Sequence, residues 1–178
     1  FAKKGYFSEN IASNVWPAGQ NMELAGGTAA MYLNGSWLPN EVQAMAGDDF
    51  KWGCFSYPAV EGGVDGTNAS NFGAQVLAIN KDSKNAEAAF QLITYLTKGE
   101  FDKKLSVESV GIPSDSTNTE WPVQIACVKP VMESLTTRYP WAAGAEDNVD
   151  MTPIIKENML KLVGGSISAQ EFVDALKK

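Results

Sequence analysis

An α/β fold, with about four strands among six or seven helices, is what the sequence predicts. Three observations carry that reading. Residues 75–79, Gln-Val-Leu-Ala-Ile, form a nearly continuous apolar run, the pattern of a strand covered on both faces. Ala86, Ala89, Phe90, Ile93 and Leu96 recur at helical spacing and make one stripe for burial. The last third carries helix-start signals, Thr152-Pro153 and a capping box from Ser168 to Glu171.

Each element follows in order. Residues 1–7 read as the end of a helix closed at Gly5, and 18–26 as a short helix broken by Gly26-Gly27. Residues 28–34, Thr-Ala-Ala-Met-Tyr-Leu-Asn, are predicted to be a small-residue strand ended by Gly35. Ser36 then caps a helix running through Val42 and Met45 to Gly47. A strand is expected at 51–57, stopped by Pro58, and an exposed loop at 59–71, where Gly62, Gly63 and Gly66 fall. The strand at 75–79 leads through the turn at Asn80 into a helix over about 83–97, with Phe90, Ile93 and Leu96 buried.

Thr97 to Glu100 has the capping-box spacing for another helix, in which Phe101 and Leu105 face inward, and Gly111-Ile-Pro-Ser is a turn. Residues 121–138 carry a helical pattern that Pro130 breaks or kinks, because proline lacks the N–H a helix interior needs. An aromatic loop holding Tyr139 and Trp141 precedes the helix opened by Thr152-Pro153. That helix buries Ile155, Met159, Leu162 and Val163 and ends at Gly164-Gly165. The final helix turns Phe172, Val173 and Leu176 inward.

Composition narrows the function. Fourteen Lys and Arg against twenty-one Asp and Glu leave the 178 residues with a net charge of −7 and a pI near 4.6. Such a surface repels phosphate backbones, so no nucleic-acid partner is expected. No apolar run approaches the ~20 residues of a membrane span. The chain has no histidine, which removes Ser-His-Asp and Cys-His nucleophile systems and His-ligated metal sites. Neither a metal nor a cofactor is expected. Cys54 and Cys127 match no metal or redox spacing, and their apolar neighbours suggest two buried free thiols rather than a disulfide.

Nothing specifies a reaction. The acidic clusters, Asp48-Asp49 and Glu146-Asp147 with Asp150, lie in polar loop sequence where solvated acids are the default reading over a glycosidase pair. Asp48, Asp49 and Asp65 do not make a calcium loop. The Gly62-Gly-Val-Asp-Gly run lacks the Lys-Ser/Thr of a phosphate loop. The aromatics say more. Trp37 follows a predicted strand and a glycine, where side chains face a cleft. A flat indole matches the C–H face of a sugar ring, and the alternative for Trp37 is a core plug beneath its helix.

At this point the sequence resembles a family. Gly27-Thr-Ala-Ala-Met31, followed by Asn34-Gly-Ser-Trp37, is similar to a segment of the family 1 extracellular solute-binding proteins, the sugar-binding subunits of ABC importers. Lys51-Trp-Gly-Cys-Phe with Pro58, the Asn71-Phe-Gly to Leu77-Ala-Ile-Asn-Lys81 to Glu87-Ala-Ala-Phe90 stretch, Gly111-Ile-Pro113 and the Gly165 to Leu176 ending resemble its later segments. The likeness runs in order along almost the whole chain.

The resemblance implies the C-terminal lobe of a periplasmic-binding-protein-like (type II) two-lobed fold, a mixed sheet flanked by helices, with ligand held between lobes that close on a hinge. Residues 1–178 are then expected to be the C-terminal portion of a longer protein. Of these, 1–72 and 113–178 would belong to the C-terminal lobe, and 73–112 would return to an N-terminal lobe the sequence does not include. The implied function is non-catalytic capture of a sugar or oligosaccharide by an extracellular or periplasmic lipoprotein, which delivers it to ABC permease subunits. The expected ligand-binding residues are Trp37 as platform, Asn34 and Asn71 as amides, and Phe72 and Trp141 as walls. Residues 73–112, parted from their usual cover, would favour a swapped or paired dimer. A glycan hydrolase fragment using Asp or Glu, and a surface adhesion module that kept the fold, are the alternatives.

Overall fold

The computed structural model describes residues 1–140 and 148–177. Their elements are helices α1 (Ala18–Ala25) and α2 (Leu38–Ala46), strand β1 (Ala69–Asn71), helices α3 (Ala86–Leu96), α4 (Gly99–Ser109) and α5 (Val128–Ser134), strand β2 (Thr137–Tyr139), and helices α6 (Met151–Val163) and α7 (Ala169–Leu176). Single 3-10 turns cover Ala2–Lys4 and Val123–Ile125. β1 and β2 pair into a two-stranded sheet. This mixed helical fold with a small sheet is compatible with the α/β prediction.

The chain divides into two units. One is assembled from both ends, Phe1–Leu33 and Tyr139–Lys178; the other is the continuous stretch Asn34–Arg138. In the first, the turn at Ala2–Lys4 closes on Gly5, whose φ of 67° is left-handed and suits a residue without a side chain. α1 buries Asn21 and Leu24. α6 packs on α7. The α7 capping box forms in both directions: Ser168 Oγ accepts the Glu171 N–H, and the Glu171 carboxylate accepts the Ser168 N–H.

In the second unit the buried apolar side chains include Leu38, Pro39 and Val42 of α2, Ala69 of β1 and Ile125. α3 packs on α4, where the Tyr95 and Phe101 rings meet at 4.7 Å. Asp102 is buried on the other side of α4, and its oxygens accept the Ser114 and Asp115 N–H groups and the Asn118 amide. Asp115 in turn accepts the Gly99 N–H at the start of α4. Three hydrogen bonds offset much of the cost of burying that carboxylate.

The structure corrects several expectations. Residues 28–34, 51–57 and 75–79 are not strands. A strand persists only where a neighbour completes its ladder, and none of the three gains one; Val76 is 81 % exposed. The helix predicted over 83–97 exists as α3, yet it buries nothing: Phe90 is 59 % exposed, and Ile93 and Leu96 are half-buried. α4 meets α3 at its far end, so the earlier turns lack a facing layer.

Capping also differs in places. α2 starts one residue later than expected, with Trp37 rather than Ser36 at its N-cap. The Thr97 hydroxyl donates to the Ile93 carbonyl instead of capping α4, and Asp115 takes that role from a distance in sequence. On α4 the buried pair is Asp102 and Ser106, not Phe101 and Leu105, because its covered face meets the polar 111–118 turn. Pro130 sits in the first turn of α5, where the N–H it lacks would have had no helical acceptor, so it causes no break. The end of the helix expected over 121–138 is instead β2. Asp150, not Thr152, occupies the N-cap of α6, and Met159 is exposed on it while Ile155, Leu162 and Val163 are half-buried. Val173 of α7 is exposed too. Cys54 is exposed and Cys127 half-buried, so neither thiol is buried as expected; both are free.

Candidate sugar-binding site

Asn34, Gly35 and Trp37 share one turn leading into α2. The Asn34 carboxamide oxygen accepts the Gly35 N–H at 2.7 Å, and the Gly35 carbonyl accepts the Leu38 N–H at 3.1 Å. Those bonds hold the chain in a tight reversal, and the indole of Trp37 folds back over it. A Cβ placed on Gly35 would lie 2.0 Å from Trp37 Cζ3 and 2.3 Å from Cη2. The ring therefore rests on bare backbone, a seat only glycine provides. Leu38, Pro39 and Val42 behind it are buried, while Trp37 is 49 % exposed. The Asn34 Nδ2 is buried and finds no hydrogen-bond partner among the described residues. A buried amide donor left so costs about 1–3 kcal/mol.

Asn71 ends β1 half-buried, and Phe72 follows it, partly exposed. The Arg138 guanidinium of β2 lies 5.2 Å from the centre of the Phe72 ring. Both pairs belong to the Asn34–Arg138 unit, although no side-chain hydrogen bond or ring contact joins Asn34 or Trp37 to Asn71 or Phe72. Trp141 lies outside the described residues. Sequence reasoning missed Gly35 and Arg138. For Gly35 the signal was its place between an amide and an indole; for Arg138, its being the only arginine in the chain.

A separate cleft of about 560 Å³ opens where α3 meets α4, lined by Tyr95, Phe101, Lys98 and Lys104 among others. None of the predicted site residues lines it. The acids Asp48 and Asp49 are exposed, as solvated loop residues are; Glu146 and Asp147 lie outside the described residues. Among the described residues no group of three or more His, Cys, Asp and Glu side chains is placed to hold a metal. The Asp115 carboxyl is held down to about 2, chiefly by the Gly99 N–H and then by the Thr117 hydroxyl and N–H. Although Cys54 is exposed as a residue, partial desolvation pushes its thiol up first, and the neighbouring Cys127 does so second.

The family model for bacterial extracellular solute-binding proteins matches residues 1–100, more than half of the chain and all four described site residues. The chain belongs to this family. Proteins of this bacterial extracellular family bind solutes for ABC transport in an extracellular or periplasmic setting, and the family is generally non-enzymatic. No curated protein matches the chain. Among the described residues no helix is long and apolar enough to cross a membrane.

Proposed function

We propose that this solute-binding protein captures a sugar or oligosaccharide without turning it over and hands it to ABC permease subunits, as the soluble part of a membrane-anchored lipoprotein. The observation that carries the reading is the turn of Asn34, Gly35 and Trp37. A half-exposed indole held flat on backbone offers the apolar plate that stacks on sugar C–H groups. Beside it stands an amide whose donor lacks an acceptor. Asn71 adds a second uncharged amide within the same unit, and Phe72 a wall. Trp141 is retained as a further wall on the strength of the sequence alone.

On the same reading, residues 1–72 and 113–178 form one lobe and 73–112 return to the other. The apolar run at 75–79 and the stripe of α3 support this, since the chain leaves Leu77 and Phe90 uncovered. A swapped or paired dimer would cover the same residues, and sedimentation of the 178-residue chain reads its mass. Titration calorimetry of the chain against a panel of neutral and acidic oligosaccharides tests the function. Saturable binding with the sugar recovered intact supports it. Recovery of cleaved sugar would replace it with hydrolysis, and silence across the panel with an adhesion role.

A further inference from the structure

Arg138 is the single arginine of a chain that holds thirteen lysines. Lys103, Lys104, Lys161 and Lys177 each pair with a carboxylate. Arg138 pairs with none among the described residues, although the chain carries twenty-one acids. Most of the lysines lack such a partner too among the described residues, but the planar arginine fork can match a carboxylate in two parallel hydrogen bonds and lysine cannot, so the fork of Arg138 is what stands open. Its partner here is the Phe72 ring, at 5.2 Å from the guanidinium carbon. A ring takes up none of a guanidinium's N–H groups as hydrogen-bond donors, so the cation over Phe72 keeps its fork for an acceptor. It also limits the positions the group can take, so less ordering remains when a ligand arrives.

Resting on the sugar-binding reading above, we infer that the captured saccharide is acidic. Its carboxylate is held by the Arg138 fork at the end of β1, beside the Asn71 amide and over the Phe72 ring. The net charge of −7 opposes such a ligand at long range. At physiological salt that repulsion is screened beyond about 8 Å, which leaves the local cation to decide.

The test compares two trisaccharides of the same linkage by calorimetry on the 178-residue chain: one built of uronic acids, the other with each carboxylate replaced by a hydroxymethyl group. The uronate is expected to bind at least about tenfold tighter, as a charge-assisted fork implies. Arg138→Gln should shrink that preference to about threefold or less while affinity for the neutral sugar holds. Arg138→Lys, which keeps the charge and loses the fork, should fall between. Both variants alter an exposed side chain, and circular dichroism checks that they fold. Equal binding of both sugars, or a preference indifferent to Arg138→Gln, overturns the inference and leaves the sugar reading standing. Binding of neither sugar overturns both.

Discussion

Replacing Gly35 with alanine isolates the seat of Trp37 from everything else in the turn. The added Cβ would meet Cζ3, Cη2 and Cε3 of the indole at 2.0, 2.3 and 2.4 Å, all inside the 3.0 Å below which something must shift. Gly35 is not in the left-handed region, so its backbone accepts alanine and the whole perturbation falls on the ring. The indole is rigid, and clearing three of its atoms requires rotation about its side-chain torsions. An off-rotamer torsion costs about 0.5–1.5 kcal/mol. Since the ring is half exposed, it has somewhere to go, which holds the expected loss near 1 kcal/mol rather than the larger penalties of overpacked cores. The assay is a double-mutant cycle in urea over wild type, Gly35→Ala, Trp37→Leu and the double variant. Gly35→Ala should destabilise the wild-type background by about 1 kcal/mol and the Trp37→Leu background by less than about 0.3 kcal/mol. Equal losses in both backgrounds would show that the clash is not with the indole and would refute the seat.

Four further expectations follow from the same structure. Trp37→Ala should weaken sugar binding about tenfold or more, from ~1–3 kcal/mol for an aromatic contact, with little change in melting temperature; unchanged affinity with a large stability loss would return Trp37 to the core. Asp102→Ala strands the Ser114 and Asp115 N–H groups and the Asn118 amide, and should cost about 2–4 kcal/mol in denaturant unfolding; a loss under about 1 kcal/mol would show that water replaces the carboxylate. Asp115 should titrate near 2 by carboxyl NMR. Its folded-state value lies below the ordinary 3.8, so its contribution is full above 3.8 and is lost as pH falls through about 2; a midpoint at 3.8 would show that the Gly99 N–H does not hold the carboxylate in solution. Ser168→Ala should lower stability by about 1 kcal/mol and speed amide exchange in the first turn of α7, whereas Ser168→Asp should preserve both.

Local signals were legible where short-range physics decides them. The α7 capping box, the left-handed Gly5 and the helix at 86–96 could all be read because each depends on a few consecutive residues. The strands could not, because the apolar run at 75–79 reports only an appetite for burial, and a ladder needs a second segment that the local pattern does not name. The same limit explains α3, whose stripe was visible and whose covering layer was not. In the site, Trp37 and Asn34 were found through their order along the chain. Gly35 was passed over because its function is to have no side chain, and Arg138 because it meets Phe72 across 66 residues.

One unit is built from the two ends of the chain and the other from the 105 residues between them, Asn34–Arg138. During synthesis the middle unit has all of its sequence once Arg138 leaves the ribosome. Phe1–Leu33 is made before it and yet must wait for Tyr139–Lys178 before its own unit can close. If the middle were still unfolded at that moment, joining the ends would mean closing a loop of 105 residues, with a length-dependent cost of roughly 4 kcal/mol. A folded middle shortens that loop in effect and removes most of the penalty. Assembly is therefore ordered from the inside outward: a nascent chain halted just past Arg138 should already protect Leu38 and Val42, while α1 stays open to protease until the stretch Tyr139–Lys178 has been made.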